Sequence, residues 1–184
     1  MLSNLQLGTL FVYICKIIRG WDCFVPRNDK KMKKIILVFA FLISGFIAQA
    51  QELNWHTDMA KATEASLKEN KPLLLFFTGS DWCGWCIKLQ RDVLKTNEFA
   101  AWATKNVILV ELDFPRSKPQ DAAIKTQNQQ LAQTFGIQCY PTVWFVNPIK
   151  GEDKKVNLSG LGSLGYDKSA TNWITNANTF LAKK

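Results

Sequence analysis

Two unbroken apolar runs, LLLFF at 73–77 and VILV at 107–110, stand out after residue 50 between segments whose apolar residues recur at helical spacing. Short runs that do not alternate with polar residues are expected of strands buried on both faces. They predict strands over Leu73–Thr78 and Asn106–Phe114, and TVWFVN at 142–147 predicts a third. Beyond it NPIKGED reads as a turn and KKVNLSG as an edge strand. Residues 55–70 are mostly helix formers, and Pro72 stops them, because proline cannot continue a helix. Cys86, Leu89 and Val93, with Ile87 and Leu94 beside them, predict a helix beginning around Gly84. Phe99 and Trp102 read as core contacts in a short segment before the second strand. Over 121–135, Ile124, Leu131 and Phe135 mark one helical face, and Gly136 supplies a left-handed stop. Trp173, Ile174, Ala177, Phe180 and Leu181 form a closing amphipathic stripe.

The predicted order is α-β-α-β-α-β-β-α. Crossovers through helices imply parallel pairing and the final hairpin implies antiparallel pairing. The expected class is therefore α/β, with a mixed central sheet of four to five strands and helices on both faces. No repeat or low-complexity linker divides it.

Hydropathy also marks the amino-terminal part. MKKIILVFAFLISGFIAQA at 32–50 places two lysines, an apolar run and Ala-Gln-Ala in the order of a secretory signal peptide. The run is short for a membrane span, so cleavage after Ala50 is expected. Residues 1–31 carry a second apolar stretch, LFVYICKII, and read as an upstream extension ahead of a natural start at Met32; an amino-terminal membrane segment is the alternative. Residues 51–184 then suffice for one domain with a proper core. The expected location is the periplasm or the exterior.

The formal charge of +8 lies mostly in the first 50 residues, and no Lys/Arg block follows them. Nucleic-acid binding is accordingly not expected. Of five cysteines, Cys15 and Cys23 precede the expected cleavage point, leaving Cys83, Cys86 and Cys139. Three thiols, two of them too close in sequence to staple a large loop, do not build a disulfide scaffold.

The remaining chemistry concentrates in SDWCGWCIKLQ at 80–90. A cysteine at a helix start gains thiolate character from unpaired N–H groups and the helix dipole. Cys83 is thus the expected nucleophile, with an accessible sulfur. Cys86, one turn on and on the apolar face, is shielded yet able to displace whatever Cys83 captures. Zinc sites also use this spacing but want a second pair, and only Cys139 and His56 could complete a set. No metal and no prosthetic group is expected. Trp82 and Trp85 would form a flat apolar rim for an extended client, although packing against the sheet is the stronger reading for Trp82. Cys139 reads as a small buried hydrophobe, His56 as a residue in or near the first helical turn without catalytic work, and Asp81 as an exposed and at most modest modulator of Cys83.

LLLFFTGSDWCGWCIKL, followed some fifty residues later by FGIQCYPTVWFVN, resembles the thioredoxin superfamily, and in particular exported members with a Trp-Cys-Gly-x-Cys motif. The likeness spans essentially all of residues 51–184. It implies a thioredoxin fold, a cis Pro141 lying against the cysteine pair, and Tyr140 offering backbone groups to a substrate peptide. X-Pro bonds make that isomer accessible. Two departures stand out: Phe77 occupies the position of the buried aspartate of many thioredoxins, and Trp85 replaces the proline common between the cysteines. Glu111 is the nearest substitute proton carrier, since a half-buried carboxylate holds its proton to higher pH; a surface carboxylate is the plain alternative.

These readings converge on an exported thiol–disulfide oxidoreductase, a monomer that reduces disulfides of cysteine-containing client proteins and draws electrons from a membrane thiol–disulfide donor. Oxidation or isomerisation is the alternative direction. The rival class is a non-catalytic binding or chaperone module using the aromatic rim.

Overall fold

The computed structural model describes residues 53–151 and 155–182. The expected leader at 32–50, its cleavage point and the segment 1–31 lie outside the described residues. Strand β1 (Trp55–His56) leads into α1 (Met59–Glu69), β2 (Leu73–Thr78), α2 (Gly84–Leu89), α3 (Asn97–Asn106) and β3 (Ile108–Asp113). Helix α4 (Ala122–Thr134), the hairpin of β4 (Thr142–Lys150) and β5 (Val156–Leu164), and α5 (Ala170–Leu181) complete the order.

The five strands lie in the order β1-β3-β2-β4-β5. β1 and β2 both run parallel to β3, β4 runs antiparallel to β2, and β5 runs antiparallel to β4. The mixed sheet and its two helical layers are as the apolar pattern predicts. All six residues of β2 are buried, because its side chains alternate between two cores. On one face Leu74 and Phe76 pack with Leu109, Val143 and Phe145 against Cys86, Leu89, Phe99 and Trp173 of α2, α3 and α5 and against Val93 between α2 and α3. On the other face Leu73, Leu75 and Phe77 pack with Val110, Leu112 and Val146 against Met59, Ala62 and Leu131 of α1 and α4.

Trp173 is the centre of the first core, with only 1% of its surface exposed. Its ring lies 5.7 Å from Phe99, 5.9 Å from Phe145 and 6.1 Å from Trp102. Its indole N–H donates to the Gly165 carbonyl at 3.1 Å, so a polar atom enters the core without losing its partner. Phe180 of α5 lies where a Cβ at position 162 would stand, which requires the Gly162 of β5.

Three elements differ from the pattern-based expectation. Trp55 and His56 form a strand instead of a helical turn, paired with Leu109 and Val110. The helix starts later because the Asp58 carboxylate accepts the Ala60 N–H at 2.8 Å and so caps it. The segment holding Phe99 and Trp102 is a full helix, α3, capped by the Thr96 hydroxyl, with Glu98 in its first turn and Lys105 in its last. Those end charges complement the helix dipole and were the available signal. Finally, β4 runs on through Pro148 to Lys150, so the turn is shorter than NPIKGED. Pro148 faces Leu158 of the edge strand β5, beyond Val146, the last β4 residue paired with β2, so it lies outside the doubly paired part of the sheet.

Candidate active site

β2 ends at Thr78 and the chain turns sharply at Gly79. A Cβ at Gly79 would collide with the Trp82 ring, so glycine is needed for the close approach of indole to backbone. The Gly79 carbonyl then accepts the Cys83 N–H at 2.9 Å, and α2 begins. Cys83 is the N-cap: its sulfur accepts the Cys86 N–H at 3.2 Å, and it is joined to Cys86 by a disulfide with Cα atoms 5.2 Å apart. Helix α2 continues into a π-helical turn over Gln90–Leu94, where the Lys95 N–H reaches the Gln90 carbonyl.

Access to the pair is one-sided. Cys83 retains 5% of its surface and Cys86 none. The opening is narrower than an accessible nucleophile at a helix start suggests, because Trp82 and Tyr140 close over the same core. Trp82 lies edge-on to Tyr140 at 5.6 Å, donates its indole N–H to the Phe114 carbonyl at 2.8 Å, and carries the Arg116 guanidinium 3.9 Å above its ring. It packs against neighbouring rings and a loop more than against the sheet. The Tyr140–Pro141 peptide is cis and Pro141 is buried. Burial pushes the Tyr140 phenol above its ordinary range.

Trp85 faces outward, 54% exposed, with the Tyr166 ring 5.2 Å away and the Lys88 ammonium 4.1 Å above it. Tyr166 is itself anchored, since its hydroxyl donates to Asp92 at 2.9 Å. Arg91 first, and Tyr166 second, hold the Asp92 carboxyl below the usual carboxylate range.

Asp81 is a structural clamp. Its carboxylate accepts the backbone N–H groups of Ser117 at 2.6 Å and of Arg116 at 3.1 Å, and those bonds lower its pKa. One residue earlier, Ser80 donates through both backbone and hydroxyl to Asp113 at the end of β3. The loop after β3 and the cysteine loop are thus bound to each other. The clamp was not legible from spacing, because Asp81 and Arg116 are separated by 35 positions. The same holds for the placement of Tyr166 beside Trp85. The buried Thr78 hydroxyl, at the end of β2, has no hydrogen-bond partner among the described residues.

Glu111 lies on β3 in register with Phe76, half-buried, lining a pocket of about 190 Å³ with Trp55, Phe76, Gln90, Leu94 and Lys95. Burial first, and the Asp113 charge second, raise its pKa. A carboxyl that is harder to ionise folded than unfolded destabilises the fold as pH rises from the ordinary glutamate range through its folded pKa. Glu111→Gln is therefore expected to be more stable than wild type at pH 7, with the difference vanishing in more acidic solution below the ordinary glutamate range. Urea midpoints at the two pH values check it, and a variant less stable at both would refute it.

One expectation is corrected. Cys139 is exposed, its sulfur 3.9 Å from the Thr142 hydroxyl, since the chain before Pro141 runs over the surface before entering β4. His56 lies on β1. Among the described residues no group of three or more His, Cys, Asp or Glu is placed to hold a metal ion, and no helix is long and apolar enough to cross a membrane.

A disulfide-linked Cys-x-x-Cys thus stands at the junction of a buried strand and a helix in a mixed five-stranded sheet. A family model described as thioredoxin-like matches residues 54–148. The chain belongs to the thioredoxin-like family. This thioredoxin-like domain is 39% identical over 98 residues to the disulfide bond reductase DsbH of Chlamydia pneumoniae, covering 53% of this chain and 58% of that protein. It is 36% identical over 142 residues to the thioredoxin-related protein DsbJ of the same organism, covering 74% of this chain and 41% of that one. The chain thus spans about half the length of these curated relatives. A solved DsbH oxidoreductase structure superposes with a TM-score of 0.63 at 26% identity, over 90% of this chain and 98% of the other.

Proposed function

We propose that the chain is an exported thiol–disulfide oxidoreductase that reduces disulfides in client proteins. The observation that carries this reading is the Cys83–Cys86 disulfide itself, a bond at a helix start whose first cysteine keeps 5% of its surface exposed and whose second keeps none. In the reduced form, the Cys83 thiolate attacks one sulfur of a client disulfide. A mixed disulfide forms, and the other client sulfur leaves as a thiolate and takes up a proton. Cys86, losing its proton, then attacks Cys83; the bond described here re-forms and the second client thiol is released. Two electrons pass from the dithiol to the client, so a thiol reductant must restore the pair. A membrane thiol–disulfide donor is the proposed source in the cell.

Glu111 is the proposed proton acceptor for Cys86, supported by its position on the same sheet face and its raised pKa. Tyr140 and Pro141 are proposed to line the client groove, with Trp82 and Trp85 as its rim. The likeness to a named reductase favours reduction over oxidation or isomerisation. The equilibrium of the Cys83–Cys86 pair against glutathione decides the matter: a potential near that of thioredoxin supports reduction, and one near the strong oxidants would reverse the direction. Export rests on residues 32–50, and mass spectrometry of the secreted protein should find Gln51 at its amino terminus. A terminus before Met32 would end that reading.

A further inference from the structure

Each tryptophan beside the cysteine pair carries a cation: Arg116 over Trp82 at 3.9 Å and Lys88 over Trp85 at 4.1 Å. The two cations sit on separate elements, Lys88 on α2 and Arg116 on the loop after β3, on the two rings that flank the outlet of Cys83. Both side chains are exposed, and neither forms an ion pair among the described residues.

The nearby carboxylates keep their charge, but each is already engaged in hydrogen bonds or an ion pair. Asp81 is occupied by the N–H groups of Arg116 and Ser117, and Asp92 by Arg91 and Tyr166. Asp113 is occupied by Ser80, and Asp167 accepts the Ser169 N–H. Two more cations add to the field, Lys118 acting on Asp81 and Glu111, and Lys168 acting on Asp92. A cation stacked on a ring keeps its N–H groups free to donate, so the outlet presents flat apolar surface edged by unspent positive charge.

We propose that this rim selects clients whose disulfide lies in an extended segment with carboxylates on either side of the reacting cysteine. The proposal rests on the reductase reading above and names its substrate class. The aromatic faces take the apolar parts of the segment, while Lys88 and Arg116 meet an acidic side chain on each side of the mixed disulfide. Charges placed at the edge of a groove act mainly on the rate of productive encounter and are weakened by salt.

The test uses pre-reduced full-length protein and two synthetic peptides of equal length, each containing one disulfide, with Glu or Lys flanking the cysteine. At low ionic strength the Glu peptide is expected to be reduced about tenfold faster in kcat/KM, and high salt should shrink the ratio. Lys88→Gln combined with Arg116→Gln should bring the ratio close to one. Arg116→Lys should keep most of it, and Lys61→Gln, on remote α1, should leave it unchanged. Equal rates for the two peptides in wild type, or a preference that survives the double substitution, would overturn the proposal. Reduction of the small neutral 2-hydroxyethyl disulfide separates the two readings: if wild type fails on that compound and on both peptides, the reductase reading itself has failed.

Discussion

Cys83→Ser is expected to lower insulin reduction to the rate of dithiothreitol alone. The physical ground is that only a thiolate attacks a disulfide, and Cys86, with none of its surface exposed, has no route to a client sulfur. Cys86→Ser has a different expected signature. Cys83 can still attack, but the mixed disulfide has no internal displacer and accumulates as a covalent adduct visible on a non-reducing gel. The pair of variants therefore distinguishes a two-step exchange from a passive disulfide. Equal insulin reduction by wild type and Cys83→Ser would show that the bond is a structural cross-link, and a binding role for the aromatic rim would then stand in its place.

Trp173→Ala should produce the largest loss of stability, about 3–5 kcal/mol for truncating a fully buried aromatic side chain. Domains of this size have total stabilities of about 5–15 kcal/mol, so a sizeable fraction would be unfolded near physiological temperature. The loss has two parts: the ring contacts to Phe99, Trp102 and Phe145, and the bond from its indole to the Gly165 carbonyl. Trp173→Phe keeps most of the first and none of the second, and is expected to fall between wild type and Trp173→Ala. Because Gly165 precedes the Tyr166 that supports Trp85, activity on peptide clients should fall even in Trp173→Phe at temperatures where it is fully folded. Urea denaturation followed by circular dichroism provides the measurement. A midpoint for Trp173→Ala indistinguishable from wild type would contradict the packing described here.

The strands were readable because burial on both faces imposes an unbroken apolar run whatever the surroundings, and LLLFF and VILV obey it. The stripe of α5 was readable for the related reason that one buried face repeats every 3.6 residues. Strand β1 was not, because two residues carry no periodicity and their pairing with Leu109 and Val110 is a property of the partner strand. Cys139 was misjudged because a lone cysteine beside a core strand is usually a small buried hydrophobe, whereas here it is exposed.

The amino-acid order by itself determined the α/β class and the place of the cysteine pair at a strand-to-helix junction, since both follow from patterns confined to a few consecutive residues, while the thioredoxin fold was implied by the resemblance of two motifs. Only the tertiary structure decided how narrow the outlet of Cys83 is, that Asp81 clamps the loop after β3, and that Arg116 and Tyr166 reach the two tryptophans. Those arrangements join positions tens of residues apart. Contacts of that kind depend on how the helices and loops settle over the sheet, and no local pattern encodes that.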